Sequence, residues 1–163
     1  MDGRPDGRFA RRELAKRIRL AFTSEGVAAT AELLEGEAPR TCDAVWSALP
    51  FVGEAHHGIY SGSECVLLLP EIVRVGPENA THEVSPGDIG FANIVPGQSW
   101  VVEKEFSEIC WFYGRDARPS FPEGPCPVNL FARIVEGAGA FNAVCFRMRR
   151  EGVKPFSIER EPE

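Results

Sequence analysis

Two neighbouring stretches of this chain hold the side chains best suited to chemistry. His56-His57 sets two imidazoles side by side, and Tyr60-Ser-Gly-Ser-Glu64 offers hydroxyls, a flexible glycine and a carboxylate. Adjacent residues on a strand point to opposite faces, so at most one histidine lines a given cavity. With Glu64 or Glu71, a metal site of one histidine plus carboxylates can be drawn. The plainer reading, one exposed and one hydrogen-bonded histidine, is preferred, and no metal is assigned. His82 falls in a turn-like stretch and reads as solvated. The loop from Tyr60 to Glu64 can hold a small polar ligand through side-chain and backbone donors, or be an ordinary turn. Serine catalysis is set aside, because nothing resembles a Gly-x-Ser-x-Gly elbow.

Other chemistry-bearing groups are more scattered. Glu103, Glu105 and Glu108 with Lys104 form an acidic run that reads mainly as solvated surface. Trp100, Trp111, Phe112 and Tyr113 either line a groove or fill the core, and aromatic residues on a strand favour the core. The five cysteines, Cys42, Cys65, Cys110, Cys126 and Cys145, are odd in number, widely spaced and without a C-x-x-C pair. They read as reduced thiols of a cytoplasmic protein and not as a zinc site.

These groups need a scaffold, and apolar periodicity supplies one. Arg17 to Phe22 and Val27 to Leu33 alternate on either side of Thr23-Ser-Glu-Gly26, which predicts a β-hairpin. Cys42, Val45, Trp46 and Leu49 recur at helical spacing after Pro39, whose missing N–H suits a first turn, and Pro50 and Gly53 stop that helix. The chain is expected to be extended from Ala55 to Val75, interrupted at Ser61-Gly62, with the apolar run Cys65 to Leu69 buried on both sides. Ser85-Pro-Gly-Asp88 turns the chain into a strand over Ile89 to Ile94, and Glu108 to Tyr113 forms another. Trp100 to Glu105 fits either a strand or a loop. Four prolines between Arg115 and Pro127 leave no room for regular structure there. Asn129 to Gly137 is a strand, a helix with Phe141, Val144, Cys145 and Met148 on one face follows, and Lys154 to Glu161 closes the chain as a strand.

The order of these elements carries a resemblance. The hairpin followed by Ala38-Pro-Arg-Thr41 and a helix, the strand Phe91-Ala-Asn93, and Val135-Glu-Gly137 before the last helix resemble cyclophilin motifs in order and spacing across residues 17–161. Ser85-Pro-Gly-Asp-Ile89 and Trp111-Phe-Tyr-Gly114 are similar to a bacterial family of cyclophilin-like proteins whose function is not established. The resemblance implies a mainly β fold, a closed cyclophilin-like antiparallel barrel whose mouths are covered by two α-helices. It also implies a substrate groove, in which the isomerase arginine is replaced by Leu67, the glutamine-phenylalanine pair falls near Glu108 to Cys110, and the pocket histidine is replaced by Val128. Arg74 is the nearby guanidinium that a slip in register would recruit. In that groove, burial beside Trp111 would raise the pKa of Glu108 and fit it to give or take a proton.

Composition bounds the rest. The 163 residues fit a basic N-terminal arm over 1–16 and one domain over 17–163. Residues 1–20 hold seven Lys/Arg against three Asp/Glu, which leaves 11 basic and 21 acidic groups in the remainder. A net charge of −6 argues against nucleic acid as partner, and no apolar run is long enough for a membrane helix. The expectation is a small-molecule or peptide-binding barrel without efficient prolyl isomerase activity and without a cofactor. His57, Tyr60, Ser61, Glu64, Asn93, Glu108 and Trp111 are its candidate lining residues. The alternatives are an enzyme, either a divergent prolyl isomerase or a small hydrolase or isomerase using Glu108 or a histidine, and a structural homodimer subunit.

Overall fold

Alternation along the strands builds a barrel with distinct inner and outer faces. The computed structural model describes residues 14–162. β1 (Arg17–Phe22) and β2 (Val27–Leu33) form the expected hairpin, with Ile18, Leu20 and Phe22 paired to Ala31, Ala29 and Val27. α1 (Pro39–Ala48) follows, then β3 (Phe51–His57), β4 (Glu64–Leu68), the two-residue β5 (Ala80–Thr81), β6 (Asp88–Ile94) and β7 (Phe106–Phe112). A small separate hairpin, β8 (Ser120–Phe121) with β9 (Gly124–Pro125), precedes β10 (Val128–Glu136), α2 (Ala138–Glu151) and β11 (Lys154–Arg160).

Neighbouring strands run in the order β2, β1, β11, β3, β4, β7, β6, β10, and β10 pairs back onto β2. Eight antiparallel strands thus close on themselves, which leaves no long unpaired edge. All eight strands and both helices contribute to one interior, where Phe22, Trp111, Phe131, Phe141 and Phe156 are fully buried. The helices sit toward opposite ends of β10. The Cys42 thiol of α1 donates to the Phe131 carbonyl and Asn129 reaches Thr41, whereas α2 begins just beyond Glu136.

A second apolar layer lies outside the barrel. Ala92 and Ile94 of β6, Cys110 and Phe112 of β7, and Val128 and Leu130 of β10 alternate with inward residues and pack under Val102 and Ala117 from two long loops. That roof makes the outer face of β6, β7 and β10 a protected surface rather than a wet one.

Several expectations are corrected. β3 begins at Phe51, ahead of Ala55, and Gly53 lies within it, where the Leu67 side chain packs close to its Cα. Residues 69–75 form no strand. In the run Cys65 to Leu69, Cys65 and Leu67 enter the interior and Leu69 packs against it, while Val66 is covered by the outer apolar layer and Leu68 is exposed, so β4 is covered on both sides up to Val66 and open on its outer face at Leu68. Residues 100–105 are a loop. The proline-rich segment does hold regular structure, because its prolines sit where the β8–β9 pair needs few backbone donors. The expected arm lies outside the described residues except for Leu14, Ala15 and Lys16. No helix among the described residues is long and apolar enough to cross a membrane.

Candidate functional site

Register decides which side chains can meet. Leu68 pairs with Glu108, Val66 with Cys110 and Glu64 with Phe112, so these residues share the outer face of β4 and β7. Above them the loop between β3 and β4 turns at Gly62, whose φ of +67° and close approach to Asp116 require glycine: a Cβ there would lie 2.5 Å from the Asp116 carbonyl oxygen. This turn brings Ser61 under β8. The Ser61 hydroxyl accepts the Ser120 N–H at 2.9 Å and faces the Ser120 carbonyl at 3.3 Å, while the Arg118 N–H donates to the Ser61 carbonyl.

Beneath that stitch lies a niche of about 30 Å³ lined by Ser61, Glu64, Ile94, Glu108, Cys126 and Val128, among others. Its volume is about that of one water molecule. Glu64 is only 6% exposed. Burial, reinforced by the nearby charge of Glu108 and opposed weakly by Ser61, pushes its carboxyl up to about 8. Burial alone pushes Glu108 up to about 7. The Cys126 thiol is raised by burial and then by both carboxylates, so it stays protonated and is a poor nucleophile. Two carboxyl groups that titrate near neutrality on one cavity can donate or accept a proton, or hold a positively charged group.

Ile94 and Cys126 also line an adjoining cleft of about 160 Å³ whose walls include Val75, Phe91, Ala92 and Pro127, with Asn93, Gln98 and Asn129 supplying polar groups. Cys126 further borders a more open groove of about 340 Å³ along Phe121 to Pro127. The three spaces therefore meet at one residue. The roof is pinned by Glu123, whose carboxylate accepts the Trp100 N–H and the Ser99 hydroxyl, both at 3.0 Å.

A separate polar network occupies the barrel mouth beside the end of α2. The Arg149 Nε–H donates to the Tyr113 hydroxyl at 2.9 Å, and that hydroxyl faces His57 Nε2 at 2.6 Å. His57 Nδ1 lies 2.8 Å from the Gly58 carbonyl, which can only accept, so Nδ1 carries a proton and Nε2 takes the one from Tyr113. Arg149 also donates to Ser63, which donates to Asp116 at 2.5 Å. The Ser63 hydroxyl first, and Arg149 further, hold the Asp116 carboxyl below its usual range. Every member has a partner, so the network reads as a clasp joining α2 to the loops. No group of three His, Cys, Asp or Glu side chains suited to a metal ion occurs among the described residues.

Residues 20–159 match the family described as a protein of unknown function, DUF3830. The chain belongs to the DUF3830 family. No curated protein matches its sequence. The DUF3830 barrel is similar in structure to McbB, solved in complex with tryptophan, with a TM-score of 0.66 and 15% identity over 90% of this chain and 45% of McbB. It thus spans less than half of McbB. It is also similar to the hypothetical protein AF2241 from Archaeoglobus fulgidus, with a TM-score of 0.61 and 25% identity over 93% of this chain and 99% of that one.

In this DUF3830 chain the residues singled out from sequence divide into five places. Ser61, Glu64 and Glu108 line the niche, and Asn93 lines the adjoining cleft. His57 belongs to the mouth network, and His56 is exposed. Tyr60 is 46% exposed on the loop and borders neither space. Trp111 lies in the interior, stacked on Phe156 at 4.4 Å, with its Nε1–H directed at Cys145 Sγ. Glu108 and Trp111 stand three positions apart, so strand alternation sends them to opposite faces and they cannot share a groove. Cys126, Ser120 and Phe121 were missed. A cysteine set among four prolines was the available signal, since a small apolar residue there suits a packed loop better than a solvated one.

Proposed function

We propose that this DUF3830 protein binds a small molecule in the cleft on the outer face of a cyclophilin-like barrel and is not an efficient prolyl isomerase. The observation that carries this reading is that Glu64 and Glu108 line one cavity with no cation beside either of them among the described residues. A buried carboxyl such as Glu64, or a part-buried one such as Glu108, is costly to ionise without a charged partner, and acids perturbed in this way cluster at functional sites. The enclosed space is small beside the 300–1,000 Å³ of many ligand pockets, which favours a compact molecule over a peptide.

The isomerase alternative loses support at each position. Leu67, in place of the expected arginine, points into the barrel interior, and Val128 stands where a histidine was sought. Arg74 is held by Glu105 through two hydrogen bonds of 2.9 and 3.2 Å, away from the niche. Among the described residues no guanidinium lines the niche to support a twisted amide, whose barrier is about 18–20 kcal/mol. Five free cysteines fit a reducing compartment, consistent with a cytoplasmic site of action.

A second reading, acid–base catalysis by Glu108, draws on its carboxyl standing at about 7. The two readings share one test. A panel of compact metabolites is screened by thermal shift against the wild type and Glu108→Gln. A ligand at about 100 times its dissociation constant adds roughly 2.7 kcal/mol, or about 5–10 °C at this size. The expected result is a shift of that size in the wild type that is reduced in Glu108→Gln. Equal shifts in both proteins would place the site elsewhere. Turnover of a hit, with an apparent pKa near 7 that vanishes in Glu108→Gln, would favour the catalytic reading.

A further inference from the structure

We infer that the molecule held in this cleft is a small organic amine, its ammonium group seated between Glu64 and Glu108 and its apolar body lying against Ala92, Ile94 and Pro127. The inference rests on the reading of the outer-face cleft as a binding site, and it names the ligand class. Glu64 is more than nine-tenths buried and lines the niche, and among the described residues its carboxyl has the Ser61 hydroxyl beside it and no charged partner. Glu108 has no charged partner among the described residues. Two carboxyl groups present about four acceptor positions each when ionised, far more than one hydroxyl can satisfy.

Shape and composition select the class. The niche of about 30 Å³ matches an ammonium head and not a bulky group. The space next to it, which shares Ile94 and Cys126 as walls, is about five-fold larger at about 160 Å³ and mostly apolar, enough for a single ring or a short branched chain. An anion would meet two carboxyl groups and no cation. A divalent ion such as calcium needs six to eight oxygen ligands, and two carboxylates beside a protonated thiol do not provide them. A neutral polar ligand would leave a carboxylate uncompensated whenever one ionises. An amine satisfies both acids by charge-assisted hydrogen bonds while burying its apolar part.

Three probes of nearly the same size test this: benzylamine, benzyl alcohol and benzoate. Each is titrated into the full-length protein while the amide resonances of Ser61, Ile94 and Cys126 are followed by NMR. The titration extends to the order of 10 mM and above, so that the weak binding common for molecules this small is covered. Benzylamine is expected to shift these resonances saturably and at least tenfold more tightly than benzyl alcohol, with no saturation by benzoate. In Glu64→Gln/Glu108→Gln, benzylamine should fall to the level of benzyl alcohol. Benzyl alcohol itself should bind that variant as it binds the wild type, which shows that the cleft is intact. Benzyl alcohol or benzoate binding as tightly as benzylamine would overturn the amine assignment while leaving the cleft reading in place. Resonances that none of the three probes moves would overturn the cleft reading and the amine assignment with it.

Discussion

Glu64 shows how one residue couples the fold to solution conditions. Its carboxyl stands at about 8 in the folded protein against an ordinary value of 4.5, because burial and the neighbouring Glu108 disfavour its charge. The folded state therefore binds this proton more tightly than the unfolded chain does. The stability it contributes is full below about pH 4.5, declines as the pH rises, and is gone above about pH 8. Glu64→Gln keeps the shape and removes the titration. Its stability advantage over the wild type should be small at pH 5 and grow to the order of 2–4 kcal/mol by pH 8.5. Glu25, Glu78 and Asp116, whose carboxyls are held low by their donors, act oppositely in acid but equally in both proteins. Urea melts of the two proteins at several pH values isolate the difference, and a difference that stays flat with pH would disprove the buried-acid account. Much of the niche was legible in sequence, since Ser61, Glu64 and Glu108 each stood out by type. What joined them was not legible, because the register of β4 against β7 and the stitch from Ser61 to Ser120 join residues far apart in the chain.

At the scale of the element, α1 illustrates the same limit. Its periodic face, Cys42 and Val45, was readable because core contact imposes helical spacing. Its cap was not, because no local side chain provides one. Glu78 does so from 37 residues away, accepting the Thr41 N–H at 2.8 Å, the Thr41 hydroxyl at 2.9 Å and the Arg40 Nε–H at 3.0 Å. Burial alone would raise this carboxyl, but those donors outweigh it and hold it at about 2. Asn129 braces the same junction by accepting the Glu78 N–H and donating to Thr41 and to the Gly76 carbonyl. The substitution Glu78→Ala should unpin the start of α1 and lower the melting temperature at pH 7 by on the order of 3–6 °C. Its effect should fade as the pH falls below 4.5 toward 2, where the wild-type carboxylate is itself neutralised. Amide hydrogen exchange over residues 40–44 would report the fraying directly, and unchanged protection there would refute the capping role. The β8–β9 hairpin was hidden for a related reason: its two short strands are held in place by the roof they form, and no periodicity of their own marks them.

For the whole molecule, the barrel was legible from the alternating hairpin, the short apolar runs and the two periodic helices in their order, yet closure depends on β10 returning to β2, a pairing of residues about a hundred positions apart. Such a seam holds only if the interior is filled. Four of its aromatic rings form one contacting cluster. Trp111 stacks on Phe156, Phe22 packs edge-on against both, and Phe141 of α2 lies 5.1 Å from Phe22 and 6.2 Å from Trp111. Phe141 is therefore the side chain by which α2 plugs the barrel, and its loss removes part of the interior rather than part of a lid. Truncating it to alanine should cost on the order of 3–5 kcal/mol, a fall of roughly 10 °C in melting temperature. Because the same ring shields Trp111, the variant should also show a red-shifted component of tryptophan emission that iodide can quench, whereas Trp100, 77% exposed, is quenched in either protein. Calorimetry and fluorescence should report one transition at one temperature, as expected when helix and barrel share a core. A variant that melts within a degree or two of the wild type, or in which α2 unfolds ahead of the strands, would mean that the helix rests on a barrel already complete without it.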